Sequence, residues 1–351
     1  MGEPRGIGPE IIVKALADPQ LRNNGTRFVI FGMNELLIHA ADLAGIEPYW
    51  SRIQRSVWKS TPGGIPDFSR RVLVIDDDRY PQAGLRGGHE TNPPGPSKAG
   101  GIASLGFIRD ALEATALADD HPHRVDAIVT APICKASWHL AGMNRFPGHT
   151  EMFADFAKTK RHAMMFVATQ PLLRVVLATI HQPLLDIGQT LTIGKVFDPI
   201  DLANDACINH FGIRKPRIAV CGLNPHASEG GLFGDEEQRI ITPAIEQARH
   251  VGIDAQGPFP ADTIYNAALE GKFDIVIAMY HDQGTIPIKL LARDVAVNTT
   301  LGLPFIRTSP DHGTAFDIAG KNKAQPGSIK AAIKLAIHMT EKQYIQSRTL
   351  E

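Results

Sequence analysis

A chain of 351 residues, 43% hydrophobic and 21% charged, is long enough to bury one large or two ordinary cores. Its formal net charge of −1, with Lys and Arg scattered along the chain, excludes a nucleic-acid or membrane surface and points to a small soluble partner. Cys134, Cys207 and Cys221 have no paired spacing, which excludes a disulfide framework or a thiolate zinc site, and with neither an apolar run of about 18 residues nor a signal-peptide pattern the expected location is the cytoplasm.

The opening Gly2-Glu3-Pro4-Arg5-Gly6-Ile7-Gly8-Pro9-Glu10 reads as a loop feeding a helix, because Pro9 suits the first helical position and Glu10 the positive end of the helix dipole. Such a loop normally follows a strand, so the expectation is a missing leading strand or a frayed terminus. Val-, Ile- and Leu-rich runs follow at 27–31, 72–75, 127–130, 175–180, 218–221 and 275–279, near-continuously apolar as strands covered on both faces are. The stretch 82–101, rich in Gly, Pro and Asn, has no apolar period and reads as a long surface loop or lid. Helical periodicity appears at 102–116, 236–251 and 328–339. Strands alternating with helices predict an α/β fold of two domains with a mainly parallel sheet.

Gly148-His149-Thr150-Glu151 starts a further helix, where a phosphate or carboxylate can rest against the N-terminus with His149 and Thr150 as donors; the plainer alternative is an ordinary cap. Three strand-like runs each deliver a histidine at or beyond the carboxyl end: 175–180 leads to His181, 218–221 through Asn224-Pro225 to His226, and 275–279 to His281. Ligands of parallel sheets bind at that edge, and three imidazoles leave a metal with open positions, as in a catalytic centre. Taken singly, each histidine is also a polar residue at a strand end. Lys289, Asn298 and Arg307 follow as candidate oxyanion partners beside Thr300-Leu301-Gly302-Leu303-Pro304. No strand-to-helix G-x-G-x-x-G is present, so a standard dinucleotide fingerprint is not expected.

Jointly, the opening motif, Pro147-Gly148-His149-Thr150-Glu151, Asn224-Pro225-His226-Ala227, Pro260-Ala261-Asp262-Thr263, Tyr280-His281-Asp282-Gln283-Gly284, and Arg307-Thr308-Ser309 with Asp311-His312-Gly313-Thr314-Ala315 resemble the 4-hydroxythreonine-4-phosphate dehydrogenases of vitamin B6 (pyridoxine) biosynthesis. The resemblance implies two α/β/α domains similar to those of isocitrate and isopropylmalate dehydrogenases, over 1–130 plus 300–351 and over 131–299, with the active site in the interdomain cleft at a dimer interface. It implies a homodimer with shared active sites and a divalent zinc, magnesium or cobalt ion on His181, His226 and His281. Substrate contacts are implied for His149, Thr150, Lys289, Asn298 and Arg307. The segment from His312 to Gly320 looks like an adenosine-binding loop, implying NAD, or NADP, on His312, Gly313, Thr314, Ala315 and Asp317. Lys289, Asp262 and Asp282 are candidates for catalytic, ligand-orienting or proton-relay roles, with the general base unassigned. Arg5 stands where the family commonly has a small residue, and Thr285-Ile286-Pro287-Ile288-Lys289-Leu290-Leu291 looks closer to relatives acting on 4-phosphorylated threonate or erythronate. The rival readings are a metal-dependent phosphohydrolase and a metal- or metabolite-binding protein without turnover.

Overall fold

The structure is a computed structural model describing residues 1–61, 69–80, 94–146, 148–292 and 295–350. Its strands are β1 (Phe28–Gly32), β2 (Ser51–Gln54), β3 (Val72–Asp76), β4 (Ala127–Val129), β5 (Ala163–Thr169), β6 (Leu172–Leu177), β7 (Arg217–Cys221), β8 (Asp254–Phe259), β9 (Ile275–Ala278), β10 (Val297–Leu301) and β11 (Ile306–Pro310). Helices connect them, and the expected α/β class holds. The chain divides into two compact units, Met1–Met152 with Arg307–Ile337, and Phe153–Ile306 with His338–Glu351.

In the first unit β1, β3 and β2 form a parallel sheet in that order. Val72, Val74, Leu37, Ile11 and Ile333 belong to one buried core, which packs β3 with the helices Asn34–Ala44, Gly8–Leu16 and the start of Gly327–Leu350. The opening residues are packed, not frayed: residues 2–10 are buried, and Glu3 N–H donates to Pro132 O at 2.9 Å. Glu10, in the first helical turn, accepts from Lys14 Nζ at 2.7 Å and from Ala324 N–H at 2.8 Å. Of the expected loop over 82–101, residues 82–93 lie outside the described residues. Its end is helical, because Ser97 caps the helix Lys98–Thr115 by accepting from Gly100 N–H at 3.0 Å. Gly100 and Gly101 look like loop residues in the sequence, yet they allow close packing: a Cβ on Gly101 would lie 2.0 Å from Ser137 O.

In the second unit six strands follow the order β10-β5-β6-β9-β7-β8. The pairs among β6, β9, β7 and β8 are parallel, whereas β5 pairs antiparallel with β6 and β10. A tight connection at residues 170–171 makes β5 and β6 a hairpin, and a hairpin is necessarily antiparallel. Val175, Leu177, Ala219, Cys221, Val276 and Ala278 share a core with Ile264 and Ile288 from helices Ala261–Leu269 and His281–Ala292. The alternating residues Val176, Ile218, Val220, Ile275 and Ile277 are buried on the other face, where the helix Ile193–Phe211 packs. Coverage on both faces explains the unbroken apolar runs. Burying each such side chain contributes roughly 1.5–3 kcal/mol.

Gly284 seats the helix His281–Ala292 on β6. A Cβ there would fall 2.5 Å from Leu177 Cδ2 and 2.9 Å from Val175 Cγ1, so a side chain would push the helix, and His281 with it, off the sheet. The helix expected over 236–251 opens instead with a π-turn, Glu237–Ile241, before the α-helix Thr242–His250.

Candidate active site

The sheet order makes β6, β9 and β7 direct neighbours, with Leu177 facing Ala278 and Val220 facing Ile277, so their carboxyl ends lie along one edge. Strand β6 ends at Leu177, before the expected residue 180, but the chain stays bound to its neighbour. Ala178 N–H donates to Ala278 O at 2.8 Å, and the Thr179 hydroxyl donates to Met279 O at 2.7 Å. This carries His181 beside His281, with ring centres 5.8 Å apart. Two imidazoles sharing a tetrahedral cation at metal–nitrogen distances of about 2.0–2.1 Å have ring centres roughly 5–6 Å apart, so the pair fits a divalent metal.

His281 opens its helix with Nδ1 2.7 Å from Asp282 Oδ1, and His226, on the turn after β7, has Nδ1 2.9 Å from Glu229 Oε2. In each case the carboxylate takes one ring nitrogen and leaves Nε2 as the ligand nitrogen. Among the described residues no group of three His, Cys, Asp or Glu converges, so His226 does not complete the set within this chain. Gln283 braces the edge. Its Oε1 accepts from Met279 N–H at 2.6 Å, its Nε2 donates to Gly222 O at 2.9 Å, and its carbonyl accepts from the Tyr265 hydroxyl at 2.7 Å. Nothing in the sequence marks that bridge between the ends of β7 and β9.

A second cluster forms in the first unit. Arg307 on β11 is buried and donates from Nη2 to Thr130 Oγ1 at 2.8 Å. Burial pulls the guanidinium down to about 9, against the attraction of Glu151, so at neutral pH it stays charged, and an anion brought beside it stabilises that charge further. His149 and Thr150 begin the helix His149–Phe156, and Thr150 is buried. Burial first, then the positive charge of Arg307 and, more weakly, of Lys135, holds His149 well below the usual histidine range and therefore neutral. Its ring sits edge-on to Trp138 at 5.7 Å. Lys135 Nζ lies 3.9 Å from where a Cβ on Gly148 would stand, at the mouth of the same helix. A buried guanidinium, an ammonium, a neutral imidazole and a helix N-terminus gather here beside the carboxylate of Glu151, a set with the chemistry of an anion cradle. His149, Thr150 and Arg307 are expected from the sequence, whereas Lys135 and Thr130 are not; the trace they leave is their place at the carboxyl end of the 127–130 run.

The remaining candidates are more dispersed. Lys289, about two turns beyond His281, and Asp262, in the first turn of Ala261–Leu269, are exposed. Asn298 sits on β10 with its Oδ1 buried and, among the described residues, accepting no hydrogen bond. Thr300 and Leu301 close that strand, and the chain leaves it at Gly302. Pro147 lies outside the described residues. In the first unit the loop His312-Gly313-Thr314-Ala315 packs on the opening motif: Ile7 N–H donates to Thr314 O at 3.0 Å, and a Cβ on Gly6 would stand 2.9 Å from that oxygen. His312, Gly313 and Asp317 are exposed. A small cleft of about 40 Å³ lined by Arg5, Gly6, Leu36, His39, Ala40 and Gly320 opens beside the loop. A larger cavity of about 460 Å³, lined by Leu202, Asp205, His210 and Leu303, carries none of the expected site residues.

The chain matches the family described as Pyridoxal phosphate biosynthetic protein PdxA over residues 26–336. It is 44% identical to a 4-hydroxythreonine-4-phosphate dehydrogenase of Desulforapulum autotrophicum, over 96% of this chain and 93% of the other. A D-threonate 4-phosphate dehydrogenase of Salmonella typhimurium is 43% identical with 97% of both chains covered. The crystal structure of a 4-hydroxythreonine-4-phosphate dehydrogenase from Klebsiella pneumoniae is similar at a TM-score of 0.81 and 38% identity, over 97% of this chain and 98% of that one.

Proposed function

Because this chain belongs to the PdxA family of pyridoxal phosphate biosynthesis, we propose that it oxidises 4-phosphooxy-L-threonine with NAD and a divalent metal and yields, after loss of carbon dioxide, an amino ketone phosphate. The observation that carries this reading is the cradle of Arg307, Lys135, His149 and Thr150, which suits a phosphorylated substrate.

Arg307 and Lys135 bind and orient the anionic end, and Thr130 holds the guanidinium plane. His149, kept neutral, donates or accepts one hydrogen bond without adding a repelled charge to the cluster. His181, His226 and His281 are the residues to hold the metal, with Asp282 and Glu229 steadying two of the rings. When bound, that cation supplies Lewis acidity for the substrate hydroxyl and the carbonyl it becomes. The loop from His312 to Asp317 is the residue set that would hold NAD or NADP, which would supply the hydride acceptor. Oxidation of the secondary hydroxyl gives a β-keto acid, whose carbon–carbon bond then breaks to release carbon dioxide. Lys289 and Asn298 are further substrate contacts, with Asp262 and Asp282 as candidates to relay the hydroxyl proton.

A homodimer completes this reading. Each histidine is followed by exposed apolar side chains: Leu184 and Leu185 after His181, Leu232 and Phe233 after His226, and Ile286 and Leu290 after His281. Leu185 is 89% exposed and Leu290 81%, values that call for a covering surface around the metal-ligand edge. A second copy placed there also supplies the third imidazole that one chain does not bring to the pair.

The D-threonate 4-phosphate reading stands as the alternative, because a relative with that name is as similar as those named for the first activity, and the segment around Lys289 looks closer to it. NADH absorbance in the presence of zinc, magnesium or cobalt, with 4-phosphooxy-L-threonine, 4-phospho-D-threonate and 4-phospho-D-erythronate side by side, decides the substrate. Turnover of the first, abolished by a chelator, is expected. Preference for a substrate without the amino group selects the alternative, and phosphate release without NADH overturns both.

A further inference from the structure

The turn that carries His226 is built in a conformation that chains rarely keep. Five successive residues are left-handed, with φ of 53° at His226, 51° at Ala227, 67° at Ser228, 47° at Glu229 and 71° at Gly230. Four of the five bear a Cβ, which crowds the following carbonyl in this region; single left-handed residues are tolerated, but runs are not. Strain of this kind persists only where the surroundings over-determine it.

The surroundings converge on one carboxylate. Glu237 Oε1 accepts from the Leu223 and Asn224 backbone N–H groups, both at 2.7 Å, and its Oε2 accepts from Asn224 Nδ2 at 2.9 Å. Glu236 Oε2 takes the same Nδ2 at 2.7 Å. Glu237 is 2% exposed, and all three of its donors belong to the two residues that lead into the turn. Gly222 lets the turn and the carboxylate approach the same backbone: a Cβ there would stand 2.8 Å from Ala227 Cα and 3.0 Å from Glu237 Oε1. The carboxylate is presented by the π-turn Glu237–Ile241, a local widening of a helix that is common at functional sites. Downstream, Ser228 is buried and its carbonyl accepts from Phe233 N–H at 3.1 Å.

We propose that Glu237 is the positioning residue that clamps Leu223 and Asn224 and so holds the left-handed turn from His226 to Gly230 in the form that presents His226 to the divalent metal. The inference rests on the metal reading of the previous section, and its test separates the two. The full-length protein, stripped with a chelator, is titrated with cobalt(II) and followed by its visible absorption, while hydrogen exchange is measured over the peptides containing Leu223 and Asn224. Glu237→Ala is expected to weaken cobalt binding by about 10- to 100-fold, as loss of groups that orient ligands does, and to speed exchange locally. Glu237→Gln keeps an oxygen for the two backbone N–H groups and loses less. Gly230→Ala has nothing within 4 Å of the new methyl, so it acts on the backbone alone and also weakens cobalt binding. If Glu237→Ala does not fold, the Gln and Gly230 variants decide. Wild-type cobalt affinity in these variants, or faster exchange spread evenly over Phe153–Ile306, overturns the positioning role provided that His226→Ala binds cobalt weakly. Wild-type affinity in His226→Ala overturns the metal reading beneath it.

Discussion

Arg307 and His149 show how one environment acts in opposite ways on two basic side chains. Both are buried in the same cluster, yet the guanidinium keeps a place for an anion while the imidazole is held neutral. Hydrogen bonds to charged groups contribute about 1.5–3 kcal/mol each, so Arg307→Ala should raise the substrate KM by roughly 10- to 100-fold with a smaller change in kcat. An unchanged KM in steady-state kinetics would remove Arg307 from the substrate site. His149 also sets a pH dependence. Its folded pKa lies below the unfolded value, so its contribution to stability is whole above the unfolded pKa of about 6.5 and is lost as pH falls below it. Glu3, raised by its own burial, pulls in the opposite direction at acid pH, and His210 and His338, also lowered by burial, add to the loss. His149→Asn should therefore flatten, without abolishing, the fall in Tm between pH 6.5 and 5; an unaltered slope would show that His149 carries no such linkage. These residues were legible in the sequence because His149 and Thr150 sit at a helix start and Arg307 beside a turn. Lys135 was not, since a lone lysine at the start of a short helix looks solvated until the fold places Gly148 next to it.

Among the elements, the central strands were readable and the peripheral ones were not, for one physical reason. β3, β6, β7 and β9 are covered on both faces and so carry unbroken apolar runs, whereas β2 alternates half-buried and exposed residues at an edge and β8 contains Gln256, Gly257 and Pro258. β10 and β11 place Asn298, Thr299, Thr300, Arg307 and Thr308 inside the fold, which hid both strands from any search for hydrophobicity. The three histidines could be found at strand ends, but that their strands are adjacent is a property of the sheet order alone. Helix placement matters as much as strand order at this edge. Gly284→Ala would force a methyl into Leu177 and Val175, and overpacking of that kind costs about 1–3 kcal/mol. The expected outcome is a Tm several degrees lower with weaker cobalt binding, because the helix that begins at His281 must lift. Wild-type Tm and affinity would mean that the seat at Gly284 does not position His281.

For the whole molecule, the two units carry different parts of the proposed chemistry. The anion cradle and the NAD loop fall within Met1–Met152 and Arg307–Ile337, and the metal-ligand edge within Phe153–Ile306. The ring separation of His181 and His281, the absence of a converging third ligand among the described residues of one chain, and the exposed leucines around all three histidines together support a centre completed by a second copy. The most direct test mixes inactive His226→Ala and His281→Ala homodimers under conditions where subunit exchange is verified by mass. Half of the exchanged dimers are then mixed, and each has one intact site out of two, so about a quarter of wild-type NADH-forming activity should return. No recovery after proven exchange would contradict a metal centre built from both copies.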